Sequence, residues 1–125
     1  MIILFKNKLI VSERTNKMDV KALYKISYGL FILSTKSDDK LNGCIINTAM
    51  QVTASPCRIC VTVNKDNYTE KLIEKSKVFS ISVLSKAADM DIIAKFGFES
   101  GVNVNKFENV KFEMKSDIPV VTEKT

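Results

Sequence analysis

Residues 78–84 read Val-Phe-Ser-Ile-Ser-Val-Leu and alternate strictly, with Val78, Ser80, Ser82 and Leu84 opposed to Phe79, Ile81 and Val83. A period of two belongs to extended backbone, where successive side chains point to opposite faces. Other short runs of the same kind recur along the chain. Residues 28–35 (YGLFILST) predict a strand, and 36–43 (KSDDKLNG) a polar turn that makes a hairpin. Residues 44–54 (CIINTAMQVTA) predict a strand with two unlike faces, broken by Ser55-Pro56; 57–64 (CRICVTVN) predict the next, with Cys57, Ile59, Val61 and Val63 on one face. KFEMK and IPVV near the end add two more. Strands outnumber helices and fall into hairpins. The expected fold is therefore mainly β with accessory helices, closed as a small β-barrel.

Three segments carry helical signals. Residues 19–27 place Val20, Leu23, Tyr24 and Ile26 at near-helical spacing behind Asp19 as N-cap. Residues 67–76 begin with Asn67 and Glu70 at capping-box spacing. Residues 89–97 run from Asp89 to a closing Gly97. Residues 99–110 read mostly as loop.

A chain of 125 residues with 46% hydrophobic content predicts one domain with a core. No run approaches the roughly 18 apolar residues of a membrane span. There is no histidine, which excludes His-dependent triads, His-containing zinc sites and histidine-ligated haem. Of the net charge of +5, residues 1–17 hold +3 (Lys6, Lys8, Arg14 and Lys17 against Glu13), so the other 108 residues carry only +2. That is too little for a nucleic-acid face. The odd count of three cysteines fits a reducing, cytoplasmic setting. Residues 1–17 differ in character from the rest of the chain, being apolar and then basic. Glu13-Arg14 is encodable by purine-rich codons resembling a bacterial ribosome-binding site, three codons before Met18. One expectation is that 1–17 is an extension outside the native coding sequence and the domain is 18–125; the other is an additional strand and linker.

Three patterns are candidate sites. The first is the polar series Asn47, Thr48, Gln51, Thr53 and Ser55, threaded through an apolar strand. Buried amides and hydroxyls need partners, either neighbouring backbone or a planar, heteroatom-rich ligand. The second is NKDNYT, where Asn64, Lys65, Asn67 and Thr69 gather at a helix start. Such an end binds phosphate well, though Glu70 competes for the same N–H groups and ordinary capping is the alternative. The third, Cys57-x-x-Cys60, places two thiols three apart on a strand and hence on opposite faces, which fits structural cysteines rather than a metal or redox pair.

The ordered set Tyr24-Lys25-Ile26-Ser27-Tyr28-Gly29-Leu30, Asn47-Thr48, Gln51-Val52-Thr53, Pro56, Asn64-Lys65, Thr69, Val83-Leu84 and Phe96-Gly97-Phe98 resembles the flavin reductase-like, FMN-binding split-barrel family. It is similar there to archaeal ferric reductase, flavoredoxin-type proteins and the flavin domain of high-molecular-weight rubredoxin. The match runs from Met18 to about Thr122. The resemblance implies an FMN-binding split β-barrel, incomplete at the C-terminus because relatives continue past IPVV to a part that includes a histidine. It implies FMN, less readily FAD, held by Asn47, Thr48, Gln51 and Thr53 at the ring and ribityl chain. Asn64, Lys65, Asn67 and Thr69 would lie near the phosphate, with a weaker assignment around 96–101. Thr62 stands where ferric-reductase-type relatives carry a cysteine.

The implied activity is hydride transfer from NAD(P)H to flavin, then electron delivery to an iron chelate, free flavin, oxygen or a redox partner protein. The implied assembly is a homodimer with flavin near the subunit interface. An FMN-binding electron carrier and an inactive truncated fragment are the competing readings. None of the three requires nucleic acid or membrane.

Overall fold

In the computed structural model, Lys21, residues 25–123 and Thr125 are described. The expected helix from Asp19 and the expected extension 1–17 fall outside these residues or largely so.

The elements are β1 (Phe31–Ser37), β2 (Lys40–Ile46), β3 (Ala49–Ala54), β4 (Cys57–Val61), α1 (Tyr68–Ser76), β5 (Ser80–Val83), α2 (Met90–Gly97), β6 (Phe112–Lys115) and β7 (Ile118–Val121). Among the described residues all strand pairs are antiparallel, in three small sheets ordered β2-β1-β5, β3-β4 and β6-β7. These residues are mainly β with two helices.

β1 is the centre. Ile32 on one face joins Ile92, Phe96, Phe107 and Val121; Leu33 on the other joins Cys44, Ile46, Val61 and Ile73. Both faces are therefore covered, which explains the nearly unbroken apolar and small-residue composition of the strand. The alternation in 78–84 does what it predicts. Phe79 and Ile81 pack on the Leu33 side, while Ser82 pairs with Ile32 and Leu84 packs on the Ile32 side. Gly43 lies opposite Ser34, where a Cβ would sit 2.9 Å from the Leu33 carbonyl oxygen and 3.0 Å from the Phe96 ring. The missing side chain is what lets that ring lie against β2.

Local capping signals hold. The Asn67 side chain accepts from the Thr69 N–H at 3.0 Å, and Asp89 accepts from Ile92 at 3.2 Å. Gly97 differs from expectation: it lies inside α2, and Phe98 caps the end with right-handed backbone.

Two strand readings are corrected. The turn after β1 is only Asp38-Asp39, and residues 40–43 already pair with β1. The single strand over 44–54 is two strands, because the chain leaves β1 after Ile46 and re-pairs with β4 from Ala49. A bulge between Gln51 and Thr53 then inverts the phase, so Gln51 lies opposite Ile59 and Thr53 opposite Arg58. Ile59 and Arg58 are consecutive and face opposite ways, so Gln51 and Thr53 do as well. The polar residues of 47–55 do not form one continuous face. Nor does that hairpin lie inside: Met50, Val52 and Ile59 are each more than two-fifths exposed.

Candidate functional site

The change of partner at Asn47-Thr48 opens a cleft of about 610 Å³ between the two sheets. Its lining is Leu30, Ile45, Ile46 and Val63, together with Asn47, Thr62, Asn64 and Asn67. β2 supplies two apolar walls, the segment after β4 supplies Thr62 to Asn64, and the N-cap of α1 supplies Asn67. Apolar walls edged by amides and a hydroxyl suit a flat heterocycle with polar atoms on its rim.

Three of the eight predicted site residues meet here: Asn47, Asn64 and Asn67. Their polar atoms are already organised. Asn47 Oδ1 accepts from the Thr48 hydroxyl at 3.1 Å, and Asn64 Oδ1 accepts from the Asp66 N–H at 3.0 Å. The Asn67 N–H donates to the Asn64 carbonyl at 2.9 Å, which folds the loop back on the start of α1. Thr48 adjoins the cleft through Asn47, and its carbonyl accepts from the Thr62 N–H at 3.2 Å.

The other residues lie elsewhere. Gln51 is exposed on β3, its amide N–H directed to the Thr53 carbonyl at 3.4 Å. The Thr53 hydroxyl donates to the Pro56 carbonyl at 2.6 Å across the hairpin end. Lys65 is exposed and outside the cleft lining. Thr69 is fully buried in the first turn of α1, where its hydroxyl accepts from Asn42 Nδ2 at 3.1 Å.

Behind the cleft lies a polar cluster that pattern reading missed. Burial pushes the Cys44 thiol above the ordinary cysteine range, against the opposing pull of Thr69, Lys106 and Asn67. Lys106 is 3% exposed and donates to the Gly43 and Phe96 carbonyls, each at 3.0 Å. Burial drives its ammonium below the ordinary lysine value, with Cys44 and Glu99 opposing. Nothing in the spacing of 99–110 marks Lys106 as an interior residue; its partners are supplied by β2 and α2. Cys57 is exposed and Cys60 half-buried; both are free thiols. No helix among the described residues is long and apolar enough to cross a membrane.

A family profile described as the flavin reductase like domain matches residues 23–124. The chain belongs to that family. Among curated relatives of this flavin reductase-like chain, a ferric-chelate reductase (NAD(P)H) from Archaeoglobus fulgidus is 40% identical over 107 residues, covering 85% of this chain and 63% of the relative. A high molecular weight rubredoxin from Moorella thermoacetica is 37% identical over 109 residues, covering 86% of this chain and 48% of the relative. The solved flavoredoxin of Desulfovibrio vulgaris (Miyazaki F) superposes with a TM-score of 0.69 at 26% identity, over 95% of this chain and 62% of its own. The fold is thus that of the flavin reductase-like split barrel. This chain spans about half to under two-thirds of the length of these relatives.

Proposed function

We propose that this flavin reductase-like domain holds FMN in the 610 Å³ cleft and serves an NAD(P)H-dependent reductase. The observation that carries the reading is the meeting of Asn47, Asn64 and Asn67 with the apolar side chains of Ile45, Ile46 and Val63 in one cleft. When bound, the flavin accepts hydride and releases electrons, chemistry that the cofactor rather than a side chain supplies. The protein's task is then to hold and orient. Ile45, Ile46 and Val63 exclude water from the ring, and the three asparagines offer amide donors to its rim and to the ribityl chain. Thr69 acts from beneath, fixing the α1 N-terminus through Asn42. Lys65 and that helix end add positive potential at the mouth. The absence of histidine is compatible with this division of labour, since no proton need pass through an imidazole.

The assembly we propose is a cytoplasmic homodimer. Met50, Val52 and Ile59 sit exposed on a two-stranded sheet, and an isolated hairpin of two strands is marginal without a covering surface. A second copy seated on one face of that hairpin would bring Gln51 or Thr53, which face opposite ways, toward a flavin. The electron acceptor on this reading is an iron chelate, free flavin, oxygen or a redox protein.

The test is reconstitution with FMN, desalting, and anaerobic addition of NADH or NADPH under a spectrophotometer. Retained flavin absorbance that bleaches supports the reductase. Retained flavin that does not bleach makes the domain a carrier. Loss of all flavin on desalting overturns the reading.

A further inference from the structure

The three asparagines of the cleft have their side-chain oxygens already in use. Asn47 Oδ1 accepts from the Thr48 hydroxyl, Asn64 Oδ1 from the Asp66 N–H and Asn67 Oδ1 from the Thr69 N–H. What these side chains have left for a ligand is N–H, a donor whatever the ligand's state. Thr62 is the fourth polar residue of the lining, and it differs from them. Its backbone N–H is held by the Thr48 carbonyl at 3.2 Å, while among the described residues its hydroxyl has no hydrogen-bond partner. Val61 and Val63 on either side of it pack with Leu33, so the backbone that carries the hydroxyl is anchored. Thr62 itself is exposed. A hydroxyl both donates and accepts, and its hydrogen rotates to suit. Leu30, Ile45, Ile46 and Val63, the other residues of the lining, have no polar side-chain atom to take its place.

We propose that Thr62 is the side chain that serves the reacting edge of the flavin, donating to ring atom N5 while the ring is oxidised and accepting from N5–H once it is reduced. The inference rests on the proposed flavin function and assigns one residue of that cleft to the atom where electrons enter. Hydride from NAD(P)H brings two electrons and one hydrogen to N5, leaving NAD(P)+ and a ring with N5–H and a negative charge at N1. N5 is therefore an acceptor before that step and a donor after it. An asparagine N–H aimed at the same atom would meet N5–H donor against donor, and the two unpaired donors would oppose reduction. The Thr62 hydroxyl turns about its Cβ–Oγ1 bond and has a bond to make in either state. The carbonyl oxygens of the ring accept before and after alike, and those are the atoms that the asparagine N–H groups suit.

The experiment compares FMN with 5-deaza-FMN, in which a C–H replaces N5, by fluorescence titration of the wild type, Thr62→Val and Thr62→Ser. The wild type should bind FMN about 5- to 10-fold more tightly than the deaza analogue, the size of one net hydrogen bond. Thr62→Val keeps the volume; it should weaken FMN by the same factor and leave 5-deaza-FMN unchanged. Thr62→Ser should restore FMN. Equal effects on both flavins, or none, overturn the assignment. So does a wild type that binds the two flavins alike, a result that needs no variant to fold. The midpoint potential of bound FMN then tests the reversal of role. A hydroxyl that serves both states is lost to both in Thr62→Val, so the potential should stay at the wild-type value. A fixed donor would be lost to the oxidised state alone and raise the potential by about 20–30 mV, at about 30 mV per tenfold for a two-electron couple. That rise overturns the reversal. If the wild type binds neither flavin, the flavin function fails and the assignment with it; if it binds FMN and the variants change nothing, the function stands and the assignment alone falls.

Discussion

Replacing Thr69 by valine separates a ligand contact from a structural one. Valine keeps the volume and removes the hydroxyl, so no cavity forms. Thr69 is 0% and Asn42 1% exposed, and the Asn42 amide donates to that hydroxyl at 3.1 Å. Asn42 Oδ1 already lacks a hydrogen-bond partner. Thr69→Val therefore strands a buried amide N–H beside an unsatisfied oxygen, at a cost of about 1–3 kcal/mol. For a domain of this size that is a fall in Tm of about 3–6 °C per kcal/mol. Urea unfolding followed by circular dichroism should show a lower midpoint with unchanged slope. The double variant Asn42→Leu/Thr69→Val removes both partners and should recover part of the loss, giving a coupling of at least about 0.5 kcal/mol. Flavin affinity, measured well below the unfolding midpoint, should stay at the wild-type value. Unchanged stability with lost flavin affinity would refute the reasoning and make Thr69 a direct contact.

Gly43→Ala should destabilise by about 1–3 kcal/mol in thermal unfolding, because the added Cβ meets a carbonyl oxygen at 2.9 Å and the Phe96 ring at 3.0 Å. Asn67→Ala should cost about 1 kcal/mol of stability through the lost cap and weaken FMN as well. Asn67→Asp keeps the cap, so its stability should match the wild type, while its added negative charge lowers FMN affinity in the same titration. Alkaline pH sets two groups against each other. Lys106 has a lowered native pKa, so between that value and 10.5 the unfolded chain binds more protons and stability rises with pH. Cys44 has a raised native pKa, so above about 9.0 the unfolded thiol ionises first and stability falls. Tm measured from pH 7 to 10 should decline less, or rise, in Cys44→Ala relative to the wild type.

What the sequence makes legible is what is settled within a few residues. Asn67 and Asp89 cap their helices because a cap depends on the next two or three N–H groups. The alternation at 78–84 sorts Phe79 and Ile81 from Ser82 and Leu84 because one strand, in one sheet, spans most of it. The stretch 44–54 misleads for the opposite reason. Its composition runs on unbroken, but Ile46 pairs with Phe31 and Ala49 with Val61, and that choice of partner is tertiary. The bulge near Val52 then undoes a face that a strict period of two assigns to both Gln51 and Thr53. Lys106 is the least legible. Its burial is made tolerable by carbonyls 63 and 10 positions away, and no local window contains the first of them.

The strand exchange at Asn47-Thr48 ties two equilibria together. One wall of the larger cleft belongs to β2 in the central sheet; the opposite wall follows β4 in the outer hairpin. The width of the cleft therefore depends on how the outer hairpin packs on the central sheet, where Val61 is buried with Leu33, Cys44 and Ile46. A molecule wedged in the cleft would favour some of those packings, and a surface clamped on one face of the β3–β4 hairpin would select among the same set. The two events share one coordinate. Whatever factor association at the hairpin imposes on ligand affinity, the ligand must impose on association.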